Sequence, residues 1–396
     1  MLPKHMIALL TGAVLALPAV AAAETRALHG QPDPADRQLV PAIAAPQVQA
    51  SPFDERLAAF TPTTDPIRHT IDYEIWDFAL KRIQISMGPS DRQGAPRREP
   101  MTGTRVKHGP QSRYRLEGSM VMFRFFDDEV IASFTEYRQD LERVAETLDI
   151  AALPRNEQLA YWINLHNVAL LEQIAKDWPV RQPRDITLDG VPLDETKFIT
   201  LRGIPVSLRD IRENIVYRHW KDPKVIYGFW RGEIGGPQLQ SYAFTGANVG
   251  SLLEVAAADF VNSLRGTQKR GDRLDVALLY GEVAPFYFPD FQSDLRAHLA
   301  KYADEPVTEL LAMTGELRAA ISEPDIADLH GGARPPSYLA VQIPGCPSAW
   351  HNAACELLQA RRLKFEAMER RGQATGRVFF SNVDLPGDPP NKNAVE

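Results

Sequence analysis

"AYWINLHNVALLEQI", Ala160 to Ile174, contains no glycine or proline, and its large apolar side chains recur at helical spacing. Leu159, Trp162, Ile163, His166, Asn167, Leu170 and Ile174 form one stripe. The opposite side, with Ala160, Tyr161, Asn164, Val168 and Leu171, is also mostly apolar. A helix that is apolar on most of its faces belongs at the centre of a fold. Asn164, His166 and Asn167 interrupt it, and a buried polar group without a partner costs about 1 to 3 kcal/mol. Each of the three therefore has to find hydrogen bonds. Either the asparagines tie down loop backbones around a satisfied core histidine, or the three face a ligand, with His166 able to act as general acid or base near neutral pH.

The sequence around this helix supplies the partners. A helix is expected over 71–87, then an exposed, basic loop over 88–112, and one or two strands in "RYRLEGSMVMFRFF". "EVIASFTEYRQDLERVAETL" predicts a helix with Ile131, Phe134, Leu141 and Val144 on one side. "FITLRGIPVSL" reads as a hairpin about Arg202-Gly203, and Ser207 with Asp210 makes a capping-box start for the next helix. "KVIYGFW" is read as a short buried strand entering the glycine-rich turn "RGEIGGPQLQSYAF". A helix from about 249 to 264, a strand in "RLDVALLY" and a helix after "FYFPDF" follow. The expected fold is α+β and mainly helical: a single principal domain over 70–304, with a few short strands packed on the central buried helix. A C-terminal extension over 305–383 docks on it, with a last strand in "GRVFFSNV" and a disordered tail over 384–396.

Composition narrows the partners. The chain has 396 residues, 44% hydrophobic and 24% charged, and a formal charge of −7 with no concentration of Lys or Arg, which disfavours nucleic acid. Residues 1–23 have the three parts of a signal peptide: Lys4, an apolar run from Met6 to Val20, and Ala21-Ala22-Ala23 before Glu24. The run is shorter than the roughly 20 apolar residues of a membrane span, and nothing later approaches that length. The mature chain is thus expected to be soluble, periplasmic or secreted, with a Pro/Ala-rich arm or linker over 24–69. In an oxidising compartment Cys346 and Cys355, the two cysteines of the chain, are expected to form one disulfide. A helix beginning at Asn352 allows bridging geometry; one beginning at Ser348 points the sulfurs apart and leaves two free thiols.

Four motifs, "YWINLHN", "VSLRDI", "DPKVIYGFWRGEIGGPQL" and "FYFPDF", stand in the order and at about the spacing of a known family. Over roughly Phe134 to Tyr302 the chain resembles the family of unknown function numbered 547. The resemblance brings no mechanism, but it marks departures. Where relatives carry Trp-Ile-Asn-x-Tyr-Asn, this chain has His166 in the tyrosine position; their strand histidine corresponds to Ile226 and their Ser-Cys-Pro to Gly235-Gly236-Pro237. A thiolate nucleophile with a histidine base is absent from those places.

The resemblance implies that Asn164, His166 and Asn167 face the strand end carrying Arg231 and Glu233, where glycines permit close approach. The "GEIGG" turn lacks a phosphate-loop ending, the histidines have no metal-ligand spacing, and no Gly-x-Ser-x-Gly elbow occurs. Neither a metal nor a cofactor is expected. Asp290 is placed to cap the helix after "FPDF". The function expected is binding of a small polar ligand, a peptide or an envelope protein by Asn164, His166, Asn167, Arg231 and Glu233. The alternative is a hydrolase of envelope polymers or peptides in which His166 with Glu233 or Asp290 activates water.

Overall fold

Arg155–Asp177 forms one helix of 23 residues, and every residue from Glu157 to Ala175 along it is buried. Burial on all sides follows from the absence of a polar face: neighbouring elements must cover each side of this helix to remove its apolar surface from water. The computed structural model describes residues 54–64, 66–96, 109–334, 346 and 352–373. These belong to one compact unit, Val48–Glu396. The leader-like segment 1–23, the arm before residue 54, the stretch 97–108 of the basic loop, the strand proposed in 376–383 and the tail 384–396 lie outside the described residues.

The described chain begins with a 3-10 turn, Glu55–Phe60, followed by α1 (Glu74–Ile83), β1 (Gln84–Gly88), β2 (Gly118–Val121), α2 (Asp128–Thr147) and the central helix α3 (Arg155–Asp177). Two small hairpins follow, β3 (Thr187–Leu188) with β4 (Val191–Pro192), and β5 (Ile199–Leu201) with β6 (Ile204–Val206). A π-helical stretch, Asp210–Val216, runs into α4 (Tyr217–His219), and a 3-10 stretch, Pro223–Gly228, precedes α5 (Val249–Val261). Then come β7 (Thr267–Arg270), β8 (Arg273–Ala277), α6 (Leu278–Tyr287), α7 (Phe291–Tyr302), α8 (Glu305–Met313), β9 (Leu317–Ile321) and α9 (Asn352–Arg370). β7 and β8 are antiparallel and β9 joins β8 in parallel, so the widest sheet described has three strands. This is the mainly helical α+β arrangement that the sequence implies.

Several local signals act as expected. Ser207 and Asp210 reciprocate, each accepting the other's backbone N–H at 3.0 Å. The hairpin turn uses Arg202 at φ 52° and Gly203 at φ 74°, the left-handed pair that a tight two-residue turn requires. On α2, Phe134, Tyr137, Leu141 and Ala145 make the buried face, while Ile131 and Val144 stay half-buried.

Three elements differ, one of them the strand read in "RLDVALLY", which ends at Ala277 so that Leu278–Tyr280 open α6. The helix read over 71–87 ends at Ile83, because Gln84–Gly88 pairs with β2; the β-branched Ile83 and Ile85 fit the pleat as well as the helical stripe. "KVIYGFW" is not a strand. Asp222 accepts the Lys224 N–H at 3.0 Å and Pro223 takes the first helical position, so the buried run winds as a 3-10 stretch. Before α1, within the region read as an arm, Leu57 and Phe60 are each 1% exposed, and Phe60 meets Trp162 edge-to-face at 5.3 Å.

The C-terminal helix closes one side of the core. Ala354 and Leu357 of α9 join a cluster with Met87, Leu116 and Met120. The Lys364 ammonium donates to the carbonyls of Met87, Pro89 and Leu116 at 2.6, 3.0 and 2.7 Å, while burial lowers its pKa to about 8. Cys346 and Cys355 are joined, with their Cα atoms 5.9 Å apart, and α9 begins at Asn352, the start that allows bridging. The bond closes a short loop, so in the chain-entropy account its reduction is expected to remove about 2 to 3 kcal/mol. Urea midpoints with and without a reductant measure this, and equal midpoints would show that the bond adds nothing.

Candidate functional site

α3 uses its two asparagines as clamps on backbone that passes beside it. Asn164 donates Nδ2 to the Phe244 carbonyl at 2.7 Å and accepts the Phe244 N–H at 3.1 Å. Asn167 does the same one loop away, donating to Gly228 O at 2.9 Å and accepting from Trp230 N at 3.1 Å. A carboxamide suits this task because it carries a donor and an acceptor side by side, matching a peptide unit. These bonds fix the entry and the exit of the segment that contains the glycine-rich turn.

His166 lies between the clamps and is completely buried. Its Nδ1 stands 3.0 Å from Asn167 Oδ1 and its Nε2 stands 2.9 Å from Arg212 Nη1. A guanidinium only donates and Asn167 Oδ1 only accepts, so the ring is neutral, protonated at Nδ1 and accepting at Nε2. Burial, reinforced by the Arg212 charge, holds its pKa well below the ordinary histidine range. Arg212, 1% exposed, also donates Nη2 to Asp194 Oδ2 at 2.6 Å. Asp194 in turn lies 3.9 Å from Arg231 Nη1 and 3.5 Å from Arg209 Nε. Burial alone would raise the Asp194 carboxyl, but Arg212 and Arg231 outweigh it and hold it well below the carboxylate range.

This chain of charges opens onto a cavity of about 480 Å³. Its wall contains four arginines, Arg184, Arg209, Arg212 and Arg231. It also contains six carboxylates, Asp194, Glu195, Glu213, Glu233, Glu282 and Glu323. Gly235, Gly236 and Pro237 form part of the same wall. A Cβ on Gly235 would come within 2.8 Å of the Glu323 backbone N and O, so glycine there allows the turn to approach the segment after β9. Arg184 grips Glu233 through two bonds of 2.9 and 2.8 Å. Arg231 reaches Glu282 at 3.1 Å. Burial opposes the Arg231 charge, and Glu282 and Asp194 more than restore it. Burial raises the Glu233 carboxyl above its ordinary value against the pull of Arg184 and Arg231.

The residues singled out by sequence therefore divide. Arg231 and Glu233 line the cavity; Asn164, His166 and Asn167 stand behind it, with Arg212 between His166 and the cavity. Asp290 is outside this lining and caps α7, accepting the Ser293 N–H at 3.2 Å. Sequence reading missed Arg212, Asp194, Arg184 and Glu282. One signal was present for Arg212: it sits among Leu208, Ile211, Ile215 and Val216, a polar residue inside an apolar stripe as anomalous as His166. It also lies in the π-helical stretch, a winding that is rare and recurs at functional sites. Among the described residues no helix is long and apolar enough to cross a membrane, and no three His, Cys, Asp or Glu side chains are grouped to hold a metal ion.

The segment that builds most of this wall is also the segment with a counterpart elsewhere. No curated protein and no solved structure matches the chain. Residues 150–261, from the approach to α3 through the end of α5, match the family described as "Protein of unknown function, DUF547", and over these residues the chain is similar to that family.

Proposed function

We propose that the protein is a binding module for a small polar ligand, held in the cavity beside Arg231 and Glu233. One observation carries this reading: paired arginines and carboxylates line an opening of about 480 Å³, a size ordinary for small-molecule sites. The clamps of α3 hold the turn that bears Arg231 and Glu233, so the wall is built before a ligand arrives, which lowers the ordering cost of binding. Export belongs to the same reading, supported by the leader-like segment at 1–23 and by the Cys346–Cys355 bond, which suits an oxidising compartment.

The hydrolytic alternative has less support. His166 has no exposed surface, its acceptor nitrogen is taken by Arg212, and Asp290 is engaged at a helix start. Gly236, at the position of the relatives' cysteine, offers no nucleophile.

A thermal-shift screen of amino acids, short peptides, sugars and organic acids tests the binding reading. A ligand at a hundred times its Kd stabilises the folded state by about 2.7 kcal/mol. Arg231→Gln is expected to weaken the same ligand by about tenfold or more, the worth of a charge-assisted hydrogen bond. A hit whose affinity Arg231→Gln leaves unchanged contradicts the placement, and turnover of a peptide abolished by His166→Gln would identify a hydrolase instead.

A further inference from the structure

The glycine turn that forms part of the cavity wall is also held from the side away from the cavity. Building on the binding reading above, we infer that Arg265 is a positioning residue of the site: by gripping the Ile234 and Gly236 carbonyls it fixes where Gly235, Gly236 and Pro237 stand, and with them Arg231. Arg265 is outside the cavity lining and just beyond the family-matching segment 150–261, so part of what shapes this site comes from outside that segment.

Arg265 is 3% exposed, and its Nη1 donates to Ile234 O at 3.2 Å and to Gly236 O at 2.8 Å. The turn has little else to hold it. Gly235 and Gly236 carry no side chain, and Pro237 has no N–H. The two glycine N–H groups donate to Glu323 O at 2.9 Å and to Glu233 O at 3.3 Å. Among the described residues Arg265 is the donor that the Ile234 and Gly236 carbonyls share. The clamps of α3 fix the chain on either side, at Gly228 and Trp230 and again at Phe244, and Arg265 fixes the stretch between them. Its hold reaches Arg231 because Gly236 packs against that side chain: a Cβ on Gly236 would stand 3.3 Å from Arg231 Cβ.

The surroundings are arranged about this guanidinium. Glu117, 5% exposed, places Oε2 3.6 Å from Arg265 Nε. That carboxylate is itself fixed, accepting the Leu264 and Arg265 N–H groups at 3.0 and 3.2 Å and the Ser90 hydroxyl. β2 begins at Gly118, φ 73°, where a Cβ would come within 2.6 Å of Arg265 Nη1, so glycine leaves room for the side chain. Burial lowers the Arg265 pKa, and apolar side chains of similar volume often match a buried ion pair in stability. What they do not supply is a charged donor aimed at two carbonyls of one turn, among the stronger hydrogen bonds a protein makes.

The test uses the full-length protein carrying Gly236→Cys, which sets a thiol in the cavity wall while the two native cysteines stay joined to each other. Alkylation of that thiol by iodoacetamide reports how firmly the wall is held, and the amide signals of Ile234 and Gly235 report where it stands. Adding Arg265→Met is expected to speed alkylation by about tenfold or more, the worth of one charge-assisted hydrogen bond in the local opening equilibrium. Arg265→Lys, which keeps the charge and a donor on a different stem, should shift the same amides and bring the rate back towards that of the parent. Glu172→Ala, a destabilising change outside the cavity lining, should leave the rate unchanged. If Arg265→Met does not speed alkylation, or if Glu172→Ala speeds it equally, the positioning role is wrong and the cavity reading stands. Where Arg265→Met does not fold, Arg265→Lys decides, and unchanged amides with an unchanged rate overturn the role. If the thiol is alkylated in no folded variant, no open space adjoins this wall and the cavity reading fails as well.

Discussion

Replacing Arg212 with Leu is expected to lower stability by about 3 to 5 kcal/mol, the range for removing one member of a buried charge pair. Two groups lose their donor together: the Nε2 acceptor of His166, buried with no other partner described, and the Asp194 carboxylate. Arg209 and Arg231 remain near Asp194 but at 3.5 and 3.9 Å, too far to replace a bond of 2.6 Å. Arg212→Lys should recover only part of the loss, because an ammonium on a single stem cannot reach both partners as the guanidinium fork does. Urea denaturation of the three proteins measures this directly. A loss below about 1 kcal/mol for Arg212→Leu would mean that the charges relax into solvent and that the wall is not preorganised.

The second large effect is expected at Glu172, a carboxylate on α3 with no exposed surface. Arg138 and Lys176 both donate to it, and despite burial these bonds hold its pKa below the ordinary glutamate value. Glu172→Ala leaves the buried Arg138 with Glu142 alone and should cost about 3 to 5 kcal/mol. The double replacement Arg138→Met with Glu172→Leu removes both charges and should recover most of that loss. If the double variant is as unstable as Glu172→Ala, the position depends on shape and not on paired charge. Neither substitution touches a residue of the cavity wall, so ligand affinity should survive in any variant that stays folded.

The centre of the fold was legible because α3 states its burial in composition: no face of Ala160–Ile174 is polar, and such a helix has only one place to go. Turns were legible wherever a side chain bonds locally, as at Ser207 with Asp210 and at Arg202-Gly203. The run at Lys224–Trp230 was misread because burial removes periodicity, so a short apolar segment looks alike as strand and as helical turn; the deciding cap, Asp222-Pro223, lies just before it. The site was half visible. Arg231 and Glu233 stand next to glycines and could be picked out along the chain. Arg184, Asp194 and Glu282 come from a 3-10 turn, a hairpin end and α6, and only the fold brings them to one wall. Arg212 carried the same anomaly as His166 and could have been found by the same rule.

What separates this account from one in which α3 itself performs chemistry is the state of His166. Its pKa is depressed, so the folded ring stays neutral while the unfolded ring takes a proton near 6.5. Its contribution to stability is therefore present above about pH 6.5 and is lost as pH falls below that value, at up to about 1.4 kcal/mol per unit. Nitrogen-15 spectra of the imidazole across pH 5 to 8 follow the ring itself. The account predicts a neutral ring throughout, protonated at Nδ1, with Nε2 a hydrogen-bonded acceptor. A ring that titrates with a midpoint near 6.5 in the folded protein would contradict it, returning His166 to solvent and the chemistry to α3.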